Sequence, residues 1–340
     1  MSAIVLERPI REKLQSLGFK TIVSLGAATR IETNKLVSAA ENCKKDYPYH
    51  SWREPKRSGK GSRLIEEPLG ELKNIQGRLN RLFQKLVLPD IFHGCYEGTH
   101  VKTNASPHLR AKQLEQIDLT NYYYNIHYSQ VYGAFRELGC SPDVARLLTR
   151  LTTIKGHVPQ GAPTSPIVAV VALLDASRRI GELCRQIDAK ITIYGDNICI
   201  SGPPHVKHYG KTFLNIVRQS GFKSRSGKRS SVSRSEIWQL PGLEVRQGRV
   251  DVPTEEFHEL RDLLDRCIKE GPDGLGKHVC PRFRTKVSGR IYHYTWIGTG
   301  RAGKITARAQ CLTRLWQRVL WPSKFNRIGC DTKKCTCDVD

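Results

Sequence analysis

Ile191-Thr192-Ile193-Tyr194-Gly195-Asp196-Asn197-Ile198-Cys199-Ile200-Ser201-Gly202 is the stretch whose reading decides the fold. Two alternating, β-branched runs meet at Gly-Asp-Asn, so the stretch predicts a β-hairpin with a tight turn. Glycine has no Cβ to clash at positive φ, and Asn and Asp tolerate that region, so the turn is locally cheap. Asp196 then stands at the tip, between strands rich in core-forming isoleucine. A lone acid in a turn is ordinarily a turn former. An acid on a rigid tip is also well placed to face a metal ion, and the rest of the chain decides between the two.

Upstream, Leu114 to Ile126 reads as a strand that carries Asp118 and then Tyr122, Tyr123 and Tyr124. Ser129 can cap the helix that follows (Val131, Tyr132, Phe135, Leu138), which Gly139 ends. Ser141-Pro142 opens another helix with a favoured cap and first-turn pair. Val158-Pro159-Gln160-Gly161-Ala162-Pro163-Thr164-Ser165-Pro166 is too rich in Gly and Pro for anything but a shaped loop. Ser165-Pro166 then starts a helix that is apolar all round from Ile167 to Leu174, so it should be buried. Asp118 and Asp196 thus sit on separate strands that pairing could bring together. Close carboxylates repel unless divalent cations neutralise them, and Mg²⁺ favours one or two carboxylates plus substrate phosphates. That arrangement supports two-metal phosphoryl transfer.

The flanking segments read more plainly. Residues 1–50 carry a weak amphipathic helical pattern. Lys56 to Ile65 is a basic, glycine-rich turn leading into a strand, suited to gripping phosphate or to lying solvated. Leu72, Ile75, Leu79, Leu82, Phe83 and Leu86 share one helical face, stopped by Pro89. Residues 203–235 are polar, basic and Ser-rich, a composition that permits a disordered linker. A second hairpin runs Leu243–Val245, turns at Gln247-Gly248 and returns over Val250–Val252. Thr254 caps an amphipathic helix. Beyond residue 274, cations alternate with Tyr292, Tyr294, Trp296, Trp316, Trp321 and Phe325, as on a surface that tracks nucleic acid or as ordinary helical core.

Composition sets the partner class. Lys plus Arg outnumber Asp plus Glu by 55 to 32 in 340 residues, a net charge of +23. Such an excess favours a polyanion, and nucleic acid over membrane, because no apolar run is long enough to span a bilayer. Met1 to Arg11 lacks a signal-peptide pattern. The eleven cysteines are odd in number and irregularly spaced, which argues for reduced thiols in the cytoplasm. Cys330, Cys335 and Cys337 could hold zinc only with a fourth ligand from elsewhere; plain exposed thiols are the simpler account.

These motifs together resemble bacterial retron-type reverse transcriptases, related to those of group II introns, from about residue 52 to 320. Ile117 to Tyr123 resembles the first catalytic-acid motif. Pro159 to Pro166 matches the PQGAPTSP loop in full, and Tyr194-Gly195-Asp196-Asn197 stands where the family has Tyr-x-Asp-Asp. Asn104-Ala105-Ser106-Pro107-His108 matches the Asn-Ala-x-x-His signature of retron enzymes. Arg63-Leu64-Ile65 with Pro68, Leu72, Lys73 and Gln76 resembles the fingers. Gly221-Phe222 with Lys228 resembles the segment bearing the palm lysine, and Gly289-Arg290-Ile291 part of the thumb.

The resemblance implies an α+β fold of right-hand polymerase architecture. Residues 1–50 would form an N-terminal helical extension and 51–113 the fingers, with part of 127–157. Residues 114–252 would form a palm with an antiparallel sheet, and 253–340 a helical thumb and tail. Asp118 and Asp196 would bind two Mg²⁺ ions, replaceable by Mn²⁺, with the Leu119 carbonyl and Asn197 assisting. Tyr123 would exclude a ribose 2′-OH. Gln160 and Gly161 would contact the incoming nucleotide, Lys60 and Arg63 its triphosphate, and Lys228 would protonate the departing pyrophosphate. Asn104 and His108 would belong to RNA recognition.

The implied activity is RNA-directed DNA synthesis from dNTPs. Part of a cognate structured non-coding RNA would be copied into branched RNA–DNA (msDNA), in bacterial phage defence with a separate effector protein. Three positions depart from the pattern. Asn197 replaces the second acid, Leu240-Pro241-Gly242 replaces Val-Thr-Gly, and Val170 replaces the usual Asn. Asn197 also motivates a second reading, an inactive RNA-binding scaffold that controls an effector.

Overall fold

The computed structural model describes residues 16–45, 48–56, 61–95, 98–224, 229–269, 281–300 and 303–320. The chain divides into two units, one of residues 1–100 and 115–231 and the other of 101–114 and 232–340. The class is α+β, as the motifs imply.

In the first unit the Thr21 hydroxyl accepts the Ser24 N–H at 3.1 Å and so starts α1 (Ile22–Thr29). Next come α2 (Thr33–Lys45) and an antiparallel pair, β1 (Tyr49–Pro55) with β2 (Ser62–Pro68). Helix α3 (Gly70–Phe83) buries Leu72, Ile75, Leu79, Leu82 and Phe83, the face its spacing predicts. The short β3 (Phe92–His93) precedes α4 (Val101–Ala105), which belongs to the second unit, and then β4 (Gln113–Asp118).

The strand ends at Asp118, not at Ile126 as propensity implies. Asn121 turns left-handed at φ 46°, the Asn125 side chain donates to the Thr120 carbonyl at 2.6 Å, and Tyr123–Asn125 is a 3₁₀ turn. Next is α5 (Tyr128–Glu137), which begins at His127 and not at Ser129: the Gln130 carboxamide reaches back to the His127 N–H at 2.9 Å. Helix α6 (Pro142–Thr152) starts at Ser141 as expected. The apolar helix α7 (Ser165–Ala172) is buried, and α8 (Leu174–Gln186) leads into β5 (Lys190–Tyr194) and β6 (Asn197–Gly202), the predicted hairpin.

Residues 203–235 are not a disordered linker across their described part. They form a 3₁₀ turn, α9 (Gly210–Gln219) and β7 (Arg229–Ser233), and α9 buries Phe213, Leu214 and Val217. The five-stranded sheet runs in the order β3-β5-β6-β4-β7. Its apolar face and the helices form one core in which Phe83 meets Phe135 at 5.7 Å.

In the second unit, β8 (Trp238–Leu240), β9 (Leu243–Arg246) and β10 (Arg249–Asp251) make an antiparallel sheet. Gln247 and Gly248 both take positive φ (49° and 80°), the geometry of the expected two-residue turn. Three helices follow: α10 (Thr254–Lys269), α11 (Pro281–Gly298) and α12 (Ala307–Leu320). Among the described residues, no helix is long and apolar enough to cross a membrane.

Candidate active site

Sheet order brings the two acids together. Strand β4, which ends on Asp118, lies beside β6, and the Leu119 N–H donates to the Asp196 carbonyl at 2.8 Å. One residue on, the Thr120 N–H donates to the Lys223 carbonyl at 2.8 Å, so the chain leaving Asp118 is fixed on two sides. Tyr194 pairs with Asn197 across the hairpin, and Gly195 (φ 59°) and Asp196 form the turn. Asp196 is exposed at the tip and Asp118 is half-buried.

The donors here are oxygens, and among the described residues no group of three or more His, Cys, Asp or Glu could hold a metal by itself. Two carboxylates at neighbouring strand ends fit a hard divalent cation that completes its shell with phosphate oxygens and water. They do not fit a closed structural metal site.

The turn is supported from behind by a glycine. Gly94 has φ 83°, and a Cβ there would stand 2.7 Å from the Tyr194 ring, so only glycine lets that ring lie across the backbone. Tyr122 is buried against Tyr123 and Phe222. Burial, and then the nearby Asp196 charge, pushes the Tyr123 hydroxyl up to about 12. Tyr123 is thus half-buried beside the acid tip and not enclosed in the core.

Asn197 is engaged from its own strand. Its Oδ1 accepts from the Cys199 thiol at 3.0 Å, and Cys199 Sγ accepts from Gln116 Nε2 at 3.7 Å. Gln116 Oε1 in turn accepts from Ser230 at 3.1 Å. This line of polar groups crosses β6, β4 and β7. Burial pushes the Cys199 thiol up to about 12, so it stays a neutral donor. The Asn197 oxygen therefore has a partner within the sheet, although a carbonyl keeps a second lone pair.

In the loop before α7, Gln160 is half-buried and its carbonyl accepts the Glu66 N–H at 2.7 Å. Gly161 takes φ 125°, and a Cβ there would meet Ile65 Cγ2 at 2.9 Å. The loop thus lies on β2, the strand that carries Arg63. Lys60, Lys228 and the cysteines 330, 335 and 337 lie outside the described residues.

In the second unit, Asn104 and His108 are fully buried in α4 and the turn after it. Neither side chain reaches the surface. Of the C-terminal aromatics, Tyr294 and Trp316 are core, whereas Tyr292 is 78% exposed. Lys102 Nζ donates to the carbonyls of Trp296 and Thr299 at 2.9 and 2.8 Å, closing the end of α11.

Sequence reasoning missed a buried carboxylate, Glu244. It accepts from the Thr254 hydroxyl and N–H (2.6 and 2.7 Å), Gln239 (2.8 Å), Arg246 (2.8 Å) and Arg308 (3.1 Å). No local pattern announces such a cluster, because its members come from four elements. Glu66 and His157, whose side chains meet at 2.8 Å across 91 residues of chain, escaped notice for the same reason.

No protein-family model matches the chain. It is 28% identical over 294 residues to the retron Se72 reverse transcriptase of Salmonella heidelberg, covering 84% of this chain and 77% of that one. It is 27% identical over 256 residues to the retron Ec86 reverse transcriptase of Escherichia coli (73% and 79% covered). With the retron Mx65 reverse transcriptase of Myxococcus xanthus it shares 30% identity over 237 residues, 64% of this chain and 55% of that enzyme. An apo telomerase structure from Candida tropicalis, truncated from its C-terminal domain, aligns at a TM-score of 0.48 with 10% identity. That alignment covers 61% of this chain and 55% of the other.

Proposed function

We propose that this chain, which its relatives identify as a retron-type reverse transcriptase, copies part of a structured non-coding RNA into branched RNA–DNA. Asp118 and Asp196 act as its catalytic acids. The observation that carries this reading is the bond from the Leu119 N–H to the Asp196 carbonyl, which sets the two acid-bearing strand ends side by side.

Asp118 and Asp196 would hold two Mg²⁺ ions, with the Leu119 carbonyl and the free lone pair of Asn197 as further oxygens. Bound there, the ions supply Lewis-acid activation of the attacking hydroxyl and charge neutralisation at the leaving pyrophosphate. The chain's own residues orient the reaction. The tip and the pinned segment after Asp118 keep two carboxylates in place without rearrangement, so the site is preorganised. Tyr123 stands beside Asp196, where a bulky ring leaves no room for a 2′-OH. Gln160 and Gly161 face the nucleotide, with Arg63 of β2 toward the triphosphate; Lys60 and Lys228 are assigned with them by family position. The RNA itself would prime from a 2′-OH, and a separate effector would turn the product into phage defence.

Purified protein with its cognate RNA is expected to incorporate dNTPs with Mg²⁺ or Mn²⁺. Failure with both metals would favour the second reading, a scaffold that binds RNA and controls an effector. The engagement of the Asn197 oxygen by Cys199 motivates that alternative. Replacing Tyr123 with Val should admit ribonucleotides, raising rNTP use about tenfold or more relative to dNTP. Unchanged sugar selectivity in competition assays would remove the gate role.

A further inference from the structure

We infer that Glu66 and His157 form a positioning pair that sets the spacing between the two nucleotide-facing segments, and that it thereby governs dNTP affinity. This rests on the polymerase reading above. His157 Nε2 and Glu66 Oε2 lie 2.8 Å apart, with side chains only 9% and 6% exposed. The same Glu66 also uses its backbone, donating its N–H to the Gln160 carbonyl at 2.7 Å. One residue of β2 therefore holds the loop at two points, residues 157 and 160.

The loop end of this clamp is itself rigid. His157 and Ile154 exchange backbone hydrogen bonds of 2.9 and 2.8 Å, and the Val158 N–H donates to the Ile126 carbonyl at 3.1 Å. Across the His157 ring lies Tyr124, its centroid 4.5 Å away. Tyr124 follows Tyr123 directly in the chain, so the pair is tied to the segment that carries Tyr123 as well as to the loop. Gly161 packs on Ile65, where a Cβ would stand 2.9 Å from Cγ2, so β2 meets the loop at a third point.

A buried polar pair is a poor source of stability, because apolar residues of similar volume pack at no greater cost. What it supplies that they cannot is direction. It locks Arg63, three residues before Glu66 on β2, at a fixed distance from Gln160 and Gly161. Loosening that distance should weaken nucleotide binding more than the chemistry at Asp118 and Asp196.

The test is steady-state primer extension on the cognate RNA with His157→Met, Glu66→Met, the double variant and His157→Gln, beside thermal melts of each. Each Met variant is expected to raise the dNTP KM about tenfold with kcat within about twofold. The double variant should be no worse than either single one, because both remove one interaction. Gln places an amide nitrogen near the reach of Nε2, so His157→Gln should hold KM within about threefold of wild type. A purely structural role would lower the melting temperature and the active fraction while KM stayed put. A folded His157→Met with wild-type KM overturns the inference, and so does a His157→Gln variant as impaired as Met. If His157→Met does not fold, the Gln variant and Glu66→Met still decide. Loss of all incorporation by the wild-type protein would instead strike the polymerase reading.

Discussion

Asparagine in place of Asp196 is expected to cut primer extension on the order of a thousandfold or more, with cognate-RNA affinity within about threefold of wild type. Asn preserves the shape of the tip, whose positive φ falls on Gly195, so the hairpin should stand. What disappears is a negative charge, exposed at the point where β6 meets β4. Loss of several kcal/mol of charge stabilisation accounts for that factor. Single-turnover extension checks the rate, and a filter-binding titration checks the RNA. Extension within tenfold of wild type would remove Asp196 from the chemistry.

Position 197 should respond differently. Asn197→Asp is expected to change extension by less than about tenfold in either direction. A carboxylate there would sit 3.0 Å from a thiol on a fully buried residue, so charge gained near the site is offset by the cost of partial burial. A gain of a hundredfold would show that the missing acid limits the natural enzyme.

Removing the Glu244 carboxylate by substitution with Ala should destabilise the second unit by about 3–5 kcal/mol. The cost comes from what is left behind: Arg246, Arg308, Gln239 and the start of α10 all lose their acceptor in a site where Glu244 is 1% exposed. Burial pushes this carboxyl upward. Hydrogen bonds from Thr254 (hydroxyl and N–H), Gln239 and Arg246 outweigh that and hold it at about 2, below the ordinary 4.5.

Since the folded value is the lower one, the stabilisation is complete above about pH 4.5 and is lost as pH falls toward 2, roughly 3 kcal/mol in all. Urea unfolding followed by tryptophan fluorescence at pH 7 and pH 3 would report this. Trp238, Trp296 and Trp316 all lie in the second unit. A variant as stable as wild type at pH 7, or with the same acid dependence, would sink the cluster's role.

The site was legible where its signals are local. The hairpin at 190–202 and the loop at 158–166 declare themselves through alternation and through Gly and Pro. Propensity failed where side chains compete with it. Three tyrosines made Leu114–Ile126 look like one strand, but Asn121 and Asn125 bond locally and end it at Asp118. The polar composition of residues 203–235 hid the Phe213, Leu214 and Val217 stripe of α9. Glu66 with His157 and Glu244 with Arg308 were out of reach for another reason. Their partners lie 91 and 64 residues apart, and no period in a sequence encodes such a meeting.

Asn104 and His108 have no exposed surface. Neither can touch a partner lying on the surface of this structure. Any influence these two residues have on a bound strand must therefore pass through the backbone and side chains packed around them, as a setting of the groove's shape and not as a handhold on it.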